Sequence, residues 1–285
     1  MAQEIKLIAA DIDDTILNSK HELSERTEKA LKAAKAQGAV IVLATGKTRA
    51  SALSLLARLG IADPGIYVQG LVVYNGDGSL RYQQTIDPEI ARQVITFAED
   101  RGFTLAAYSG TRILVRSQND FTEKITKPYH EDDAEVVGPL QNILNEVPIN
   151  KIIAMGDSRK ITALRWQLGM QLNGSVTLMQ ANLPFMLEVL PPGASKGAAL
   201  KRLLKDLNIP ADSVLAIGDA ENDVEMIKLA GIGVAVGNAT QAAKDAADHV
   251  VASADNDGAA EAIERFVLKK AEETPAVEKE TSSEE

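Results

Sequence analysis

Apolar residues along this chain come in short unbroken runs, separated by longer amphipathic stretches. Lys6-Leu-Ile-Ala-Ala-Asp11 opens the pattern. The run is apolar on both faces and too short for a helix, which predicts a buried parallel strand over 7–11. Helical periodicity follows over 24–37, with Ser24 as N-cap and Gly38 just past the end. A strand at 39–44, a helix at 48–59 and a strand at 65–68 continue the alternation. The last third resumes it, with helix 196–207, strand 213–217, helix 223–230, strand 233–236, helix 240–247, strand 249–251 and helix 258–269. Strands and helices alternating at these lengths predict a parallel sheet covered by helices on both faces.

The middle third breaks that rhythm. Runs at 71–74 and 80–84 flank Asn75-Gly76-Asp77-Gly78, a hairpin turn. Helix 89–101 follows, and then strands 105–108 and 112–116 bracket Ser109-Gly110-Thr111 as a second hairpin. Residues 118–133 are polar with little periodicity. A short helix near 140–145, strand 151–155, helix 159–172 and strands 176–180 and 185–189 complete the region. Hairpin-paired strands with helices between them indicate an α+β insertion, entered near Ile86-Asp87-Pro88 and left at Pro191-Pro192-Gly193. The expected division is a first core part over 1–85, the insertion over 86–190, a second core part over 191–270, and a disordered acidic tail over 271–285.

Composition excludes several classes. The net charge of −10 argues against a nucleic-acid partner. The last fifteen residues carry six Glu against one Lys, so −5 of that charge sits in the tail. The tail has few apolar residues to bury. No apolar run approaches a membrane span. The N-terminus enters the first strand almost at once, so the expected compartment is the cytoplasm. The chain contains no Cys, which rules out disulfides and thiolate chemistry. The three histidines, His21, His130 and His249, are dispersed, and none is assigned to catalysis. Monomer and dimer stay equally open.

Four sites carry chemistry. The first strand ends in Asp11-Ile-Asp13-Asp14-Thr15, three carboxylates within four residues. In open α/β sheets that edge is where ligands bind. The second strand ends in Thr45-Gly46-Lys47, a hydroxyl and a glycine opening a helix, which suits a phosphate oxygen. Gly46-Lys47-Thr48 is not a P-loop, since Ile41 stands where that motif needs Gly. Ser195-Lys196-Gly197 opens a helix at the electrostatically wrong end for a lysine, unless it spans to an anion. The fourth site is Gly218-Asp219-Ala-Glu221-Asn222-Asp223, a strand end rich in oxygen ligands of the kind Mg²⁺ requires.

In this order, over residues 1 to about 270, the motifs resemble those of the haloacid dehalogenase (HAD) superfamily of phosphotransferases. The string Phe185-Met-Leu-Glu-Val-Leu-Pro-Pro-Gly-Ala-Ser-Lys196-Gly, with Val234-Ala-Val-Gly237-Asn238, resembles its Cof-type branch. The resemblance implies a Rossmann-like doubly wound core with an inserted cap. It also implies Asp11 as nucleophile, Asp13 as acid/base, and Thr45, Gly46, Lys196 and Asn222 around the phosphate. Mg²⁺ is expected on Asp11, Asp13 through its backbone carbonyl, and Asp219, with Asp223 close by. Lys47 and Gln69 depart from the branch's usual Arg and Asn. On the cap, Thr111 and Arg112 are the candidate substrate contacts. The implied activity is Mg²⁺-dependent hydrolysis of a small phosphorylated metabolite, a sugar phosphate first, through an aspartyl-phosphate. Alternatives are a phosphomutase, a dedicated sucrose-phosphate or glycosyl-phosphoglycerate phosphatase, or a catalytically silent metabolite-binding relative.

Overall fold

A computed structural model describes residues 4–127, 131–179 and 183–268. The acidic tail over 271–285 and His130 lie outside the described residues.

The first strand has no polar side, so it can only lie inside a sheet covered on both faces. The chain runs β1 (Leu7–Ala10), α1 (Glu25–Ala36), β2 (Val40–Leu43) and α2 (Arg49–Leu59). An antiparallel meander follows, β3 (Gly65–Tyr67), β4 (Val72–Tyr74) and β5 (Leu80–Gln83). The insertion holds α3 (Pro88–Glu99), β6 (Thr104–Ser109), β7 (Arg112–Val115), α4 (Asp120–Thr126), β8 (Glu135–Val136), β9 (Lys151–Met155), α5 (Ser158–Leu172), β10 (Thr177–Met179) and β11 (Met186–Leu190). The chain then returns through α6 (Lys196–Leu207), β12 (Val214–Gly218), α7 (Val224–Leu229), β13 (Ile232–Ala235), α8 (Gln241–Ala246), β14 (His249–Val250) and α9 (Gly258–Phe266).

The core sheet has the order β14-β13-β12-β1-β2, parallel throughout. β1 lies between β2 and β12, with Leu7 opposite both Val40 and Val214. Alternation along the strands builds two hydrophobic layers. Ile8, Ala10, Ile41 and Ile217 pack with Leu31 of α1 and Ile263 of α9, while Leu7, Ala9, Val42 and Ala216 pack with Leu200 and Leu203 of α6. Each fully buried Leu or Ile contributes about 1.5–3 kcal/mol. The helices start where expected: the Ser24 hydroxyl accepts from Thr27 N, and Ser195 accepts from Ala198 N.

The cap sheet has the order β10-β11-β9-β6-β7-β8. Its strands also alternate. Leu105, Ala107, Ile152, Ala154, Leu187 and Val189 pack beneath α3 and α5. Tyr108, Lys151, Ile153, Met186 and Glu188 belong to the opposite face, which looks toward the carboxylates of the core.

Two cap segments differ from expectation. The polar stretch contains α4, started by a reciprocal cap in which the Asn119 side chain accepts from Phe121 N and Thr122 N, while Asn119 N donates to Thr122 Oγ1 at 2.9 Å. Two helical turns are too few to print a readable period. The helix expected near 140–145 is a single tight turn, Leu140–Ile143, anchored by the fully buried Leu140.

Candidate active site

The acids are brought together by the sheet. Asp11 follows β1 directly, and its N–H still bonds Ile217 O of β12 at 3.0 Å. The chain then turns tightly through Ile12–Ile16, with Asp14 in the left-handed region at φ +54°, a conformation Asp tolerates better than most residues. Asn238 Nδ2 holds this turn by donating to Asp14 O at 2.8 Å. On the neighbouring strand, Asp219 accepts from Thr15 Oγ1 at 3.0 Å. Asp223 curls back so that Oδ2 accepts from Asp219 N and Ala220 N, each at 3.1 Å. Asp223 therefore both orders the turn and faces the acids.

Lys196, the first residue of α6, is 1% exposed. Its Nζ lies 2.8 Å from Asp11 Oδ1 and 2.8 Å from Asp223 Oδ1. Burial alone would push its pKa down. The charges of Asp11 and Asp223 outweigh this and raise it, so the ammonium stays charged. The acids are raised as well, which for a carboxyl favours the neutral form. Desolvation raises the Asp11 pKa well above the carboxylate range against the pull of Lys196, with Asp223 and Asp219 adding to the rise. Asp219 is pushed up to about 6 by burial first and Asp223 second.

This donor set fits a hard divalent cation. One carboxylate oxygen from each of Asp11, Asp219 and Asp223 lies within 4.8 Å of the others. Three carboxylates against the one ammonium of Lys196 leave a formal charge of −2. All three donors are oxygens, as Mg²⁺ or Ca²⁺ prefers. The amide oxygen of Asn222 is buried beside them with no hydrogen-bond partner among the described residues. The Asp13 side chain stands apart, so its backbone carbonyl remains the ligand expected from it. Its Oδ1 receives Lys47 Nζ at 2.7 Å and meets His21 Nδ1 at 3.2 Å. Neither neighbour was assigned a role from sequence.

Thr45 is 1% exposed and its Oγ1 accepts from Lys47 N at 3.1 Å. Over this loop lies a strained segment. Val68, Gln69 and Gly70 have φ of +51°, +61° and +89°. A β-branched residue at positive φ is an outlier, and such backbone costs on the order of 1–3 kcal/mol per residue. Surrounding structure holds it in place. Gln69 N donates to Thr45 O at 3.2 Å, and a Cβ on Gly70 would lie 2.1 Å from Ser195 O. The segment carries the Gln69 side chain between core and cap. Gln69 Oε1 accepts from Asn222 Nδ2 at 2.9 Å, and its Nε2 donates to Glu188 Oε2 at 3.2 Å.

Core and cap enclose a cavity of about 210 Å³. Asp11, Asp13, Thr45, Gly46, Lys196, Asp219 and Asn222 line its core side, and Tyr108, Ile125, Lys151, Ile153, Met186 and Glu188 its cap side. Glu131 also reaches it from the cap and accepts from Thr48 N at 2.9 Å and from Thr48 Oγ1 at 2.5 Å, tying the cap to the start of α2. The expectation for Thr111 and Arg112 needs correction, because neither is brought to the cavity. Both are exposed at the β6–β7 turn, and Arg112 forms a two-pronged ion pair with Glu135 at 2.8 and 2.9 Å. A polar turn gives the same sequence signal whichever end of the sheet it occupies. The cap residues that do line the cavity had a different signal, a charge inside an otherwise apolar strand: Lys151 in KIIAM and Glu188 in MLEVL.

A parallel sheet presenting clustered acids and a buried lysine to a cavity roofed by an insertion makes a capped, Rossmann-like α/β protein. The haloacid dehalogenase-like hydrolase family model matches residues 8–263, and the chain belongs to that family, in its Cof-type branch. It is 30% identical over 288 residues to phosphatase YwpJ of Bacillus subtilis, covering 92% of this chain and 100% of the relative. It is 35% identical over 271 residues to chloroplastic endoribonuclease YBEY of Arabidopsis thaliana. That match takes in 92% of this chain but 46% of the relative, so this chain spans about half of that protein's length. A solved haloacid dehalogenase-like hydrolase from Bacteroides thetaiotaomicron superposes with a TM-score of 0.85 at 31% identity, over 92% of this chain and 99% of the other. Among the described residues, no helix is long and apolar enough to cross a membrane.

Proposed function

We propose that this chain is a Mg²⁺-dependent phosphatase of small phosphorylated metabolites, sugar phosphates first, working through an aspartyl-phosphate. One observation carries the reading. Lys196 is locked between Asp11 and Asp223 at the floor of the cavity between core and cap, where an attacking carboxylate needs a cation. The phosphatase name of a relative matched along its whole length supports it.

Asp11 attacks phosphorus and the ester bond breaks. Lys196 engages Asp11 Oδ1 and holds the carboxylate in place. Asp13 donates a proton to the leaving oxygen, and later takes one from the water that attacks phosphorus and breaks the Asp11–phosphate bond, releasing inorganic phosphate and the free carboxylate. Lys47 and His21 both engage Asp13 Oδ1, which fixes the carboxyl at the cavity wall. Each like-charge pair at 4 Å costs about 4 kcal/mol at an effective dielectric of 20, and Lys196 offsets part of that. A bound Mg²⁺, held by Asp11, Asp219 and the Asp13 carbonyl with Asp223 alongside, would neutralise phosphate charge as a Lewis acid. Thr45 and the Gly46 loop receive the phosphate oxygens. The cap excludes bulk water and limits the leaving group to a small molecule.

The test is phosphate release from p-nitrophenyl phosphate and a panel of phosphorylated metabolites with Mg²⁺. Wild type should release phosphate and Asp11→Asn should not, while still folding with a cooperative thermal transition. No release from any compound, or equal release by Asp11→Asn, refutes the reading.

A further inference from the structure

Among the described residues, the cavity face of the cap sheet carries one buried charged pair. Lys151 on β9 and Glu188 on β11 are each 3% exposed, with Nζ and Oε1 2.8 Å apart. Their neighbours on the cavity wall include Ile125, Ile153, Leu183 and Met186. A buried ion pair adds little stability that two well-packed apolar side chains would not supply. This pair also lies on the cavity face of the sheet, not in the cluster under α3 and α5. Both facts point to a ligand.

Counting bonds narrows its chemistry. A lysine ammonium has three donors, and a carboxylate has about four acceptor positions. Lys151 donates to Glu188 and, at 3.1 Å, to Gly46 O. Glu188 accepts from Lys151 on one oxygen and from Gln69 on the other. The Lys151 ammonium also lies 4.5 Å from the centre of the Tyr108 ring, which holds it in place. These bonds leave donor and acceptor capacity side by side, the pattern a hydroxyl matches because it both donates and accepts. Charge narrows it further. Glu188 and Glu131 against Lys151 leave the cap side of the cavity one negative charge in excess, so a carboxylate on the leaving group is repelled.

Reach sets the position. A single side chain, Gln69, separates Glu188 from Asn222, and the carbonyl held by Lys151 belongs to Gly46, next to Thr45. A hydroxyl bound there lies close to the ester. The cavity, of about 210 Å³, is open on one side and has room for a phosphate and a short polyol.

We propose that Lys151 and Glu188 are specificity-determining residues that read the leaving group, selecting an uncharged, hydroxyl-bearing alcohol over an anionic or hydroxyl-free one. The proposal rests on the phosphatase reading of this same cavity.

The test uses the full chain with Mg²⁺ and three probes: glycerol 1-phosphate, 3-phosphoglycerate and p-nitrophenyl phosphate. Wild type should favour glycerol 1-phosphate over 3-phosphoglycerate at least tenfold in kcat/KM. Glu188→Gln should narrow that ratio at least threefold. It should also cost at least tenfold more on glycerol 1-phosphate than on p-nitrophenyl phosphate, mainly through KM. Because Glu188→Gln strands a buried ammonium, the double variant Lys151→Met/Glu188→Leu is measured beside it, with melting temperatures for both. The double variant should show the same substrate-dependent loss at a near-wild-type melting temperature. Equal losses on glycerol 1-phosphate and p-nitrophenyl phosphate overturn the proposal, as does an absent polyol preference in wild type. If wild type cleaves p-nitrophenyl phosphate, only the specificity claim has then failed. If wild type releases phosphate from none of the three, the phosphatase reading falls first.

Discussion

Asp219 should make the metal-free protein lose stability as the solution becomes more alkaline. Its folded pKa is about 6 against an ordinary 3.8, raised by burial and then by Asp223. A raised acid favours the folded state while it is protonated. That contribution is complete below pH 3.8 and is lost as pH climbs through about 6. The displacement corresponds to about 3 kcal/mol, which is about 6–12 °C of melting temperature for a chain of this size. Asp219→Asn removes the charge and keeps an oxygen to accept the Thr15 hydroxyl. Thermal unfolding in EDTA from pH 4 to 8 should therefore show the variant drawing level with wild type near pH 4. By pH 8 it should melt several degrees higher. Added Mg²⁺ should reverse the order at pH 8, since a cation stabilises the ionised cluster in wild type and finds one charge fewer in the variant. A constant difference between the two proteins across pH, or equal Mg²⁺ gains in both, would refute the reasoning.

Other outcomes follow from the same contacts. Lys196→Met should lower kcat at least a hundredfold and, in EDTA at pH 7, destabilise the fold by about 3–5 kcal/mol, because Asp11 and Asp223 lose a buried counter-charge; a fall under tenfold in kcat would remove Lys196 from the reaction. Arg112→Ala should leave kcat/KM within about twofold, since its partner is the exposed Glu135 and not the cavity; a tenfold loss would restore its substrate role. Ser24→Ala should cost about 1 kcal/mol by urea unfolding, the loss of one helix cap, and leave kcat alone.

Much of the core was legible because each buried strand is a pure apolar run that stops at a chemical residue. Asp11, Thr45 and Asp219 each stand where a run ends, and Lys196 is marked by being at the wrong end of a helix. Those signals are local, and the structure brings their owners to one sheet edge. What could not be read depends on which strand lies beside which. Lys47 and His21 meet at Asp13 only because the turn after β1 faces the loop after β2. Lys151 and Glu188 each show in the sequence as a charge inside an apolar strand, but nothing local says that they pair. Their meaning appears only when antiparallel pairing sets Ile153 opposite Glu188 and Tyr108 opposite Lys151 on one face. Thr111 and Arg112 went the other way, since a hairpin turn gives no sign of which end of a sheet it will occupy. The positive φ of Val68 has no sequence signature at all, because nothing in a valine announces left-handed backbone.

The position of β1 has a consequence for how the molecule is made. Its two partners are Val40–Leu43, close behind it, and Val214–Gly218, about 200 residues later. At 5–20 residues per second, a ribosome needs about 10–40 s to deliver the second partner. The whole cap is synthesised in that interval, with its own sheet and its own hydrophobic cluster. Meanwhile one edge of an entirely apolar strand waits without hydrogen-bond partners, the kind of edge that recruits other chains. The hazard of this architecture therefore falls during translation and not in the finished molecule. Substitutions that delay the last third of the chain would reduce the yield of folded protein and leave the turnover of each folded molecule as it was.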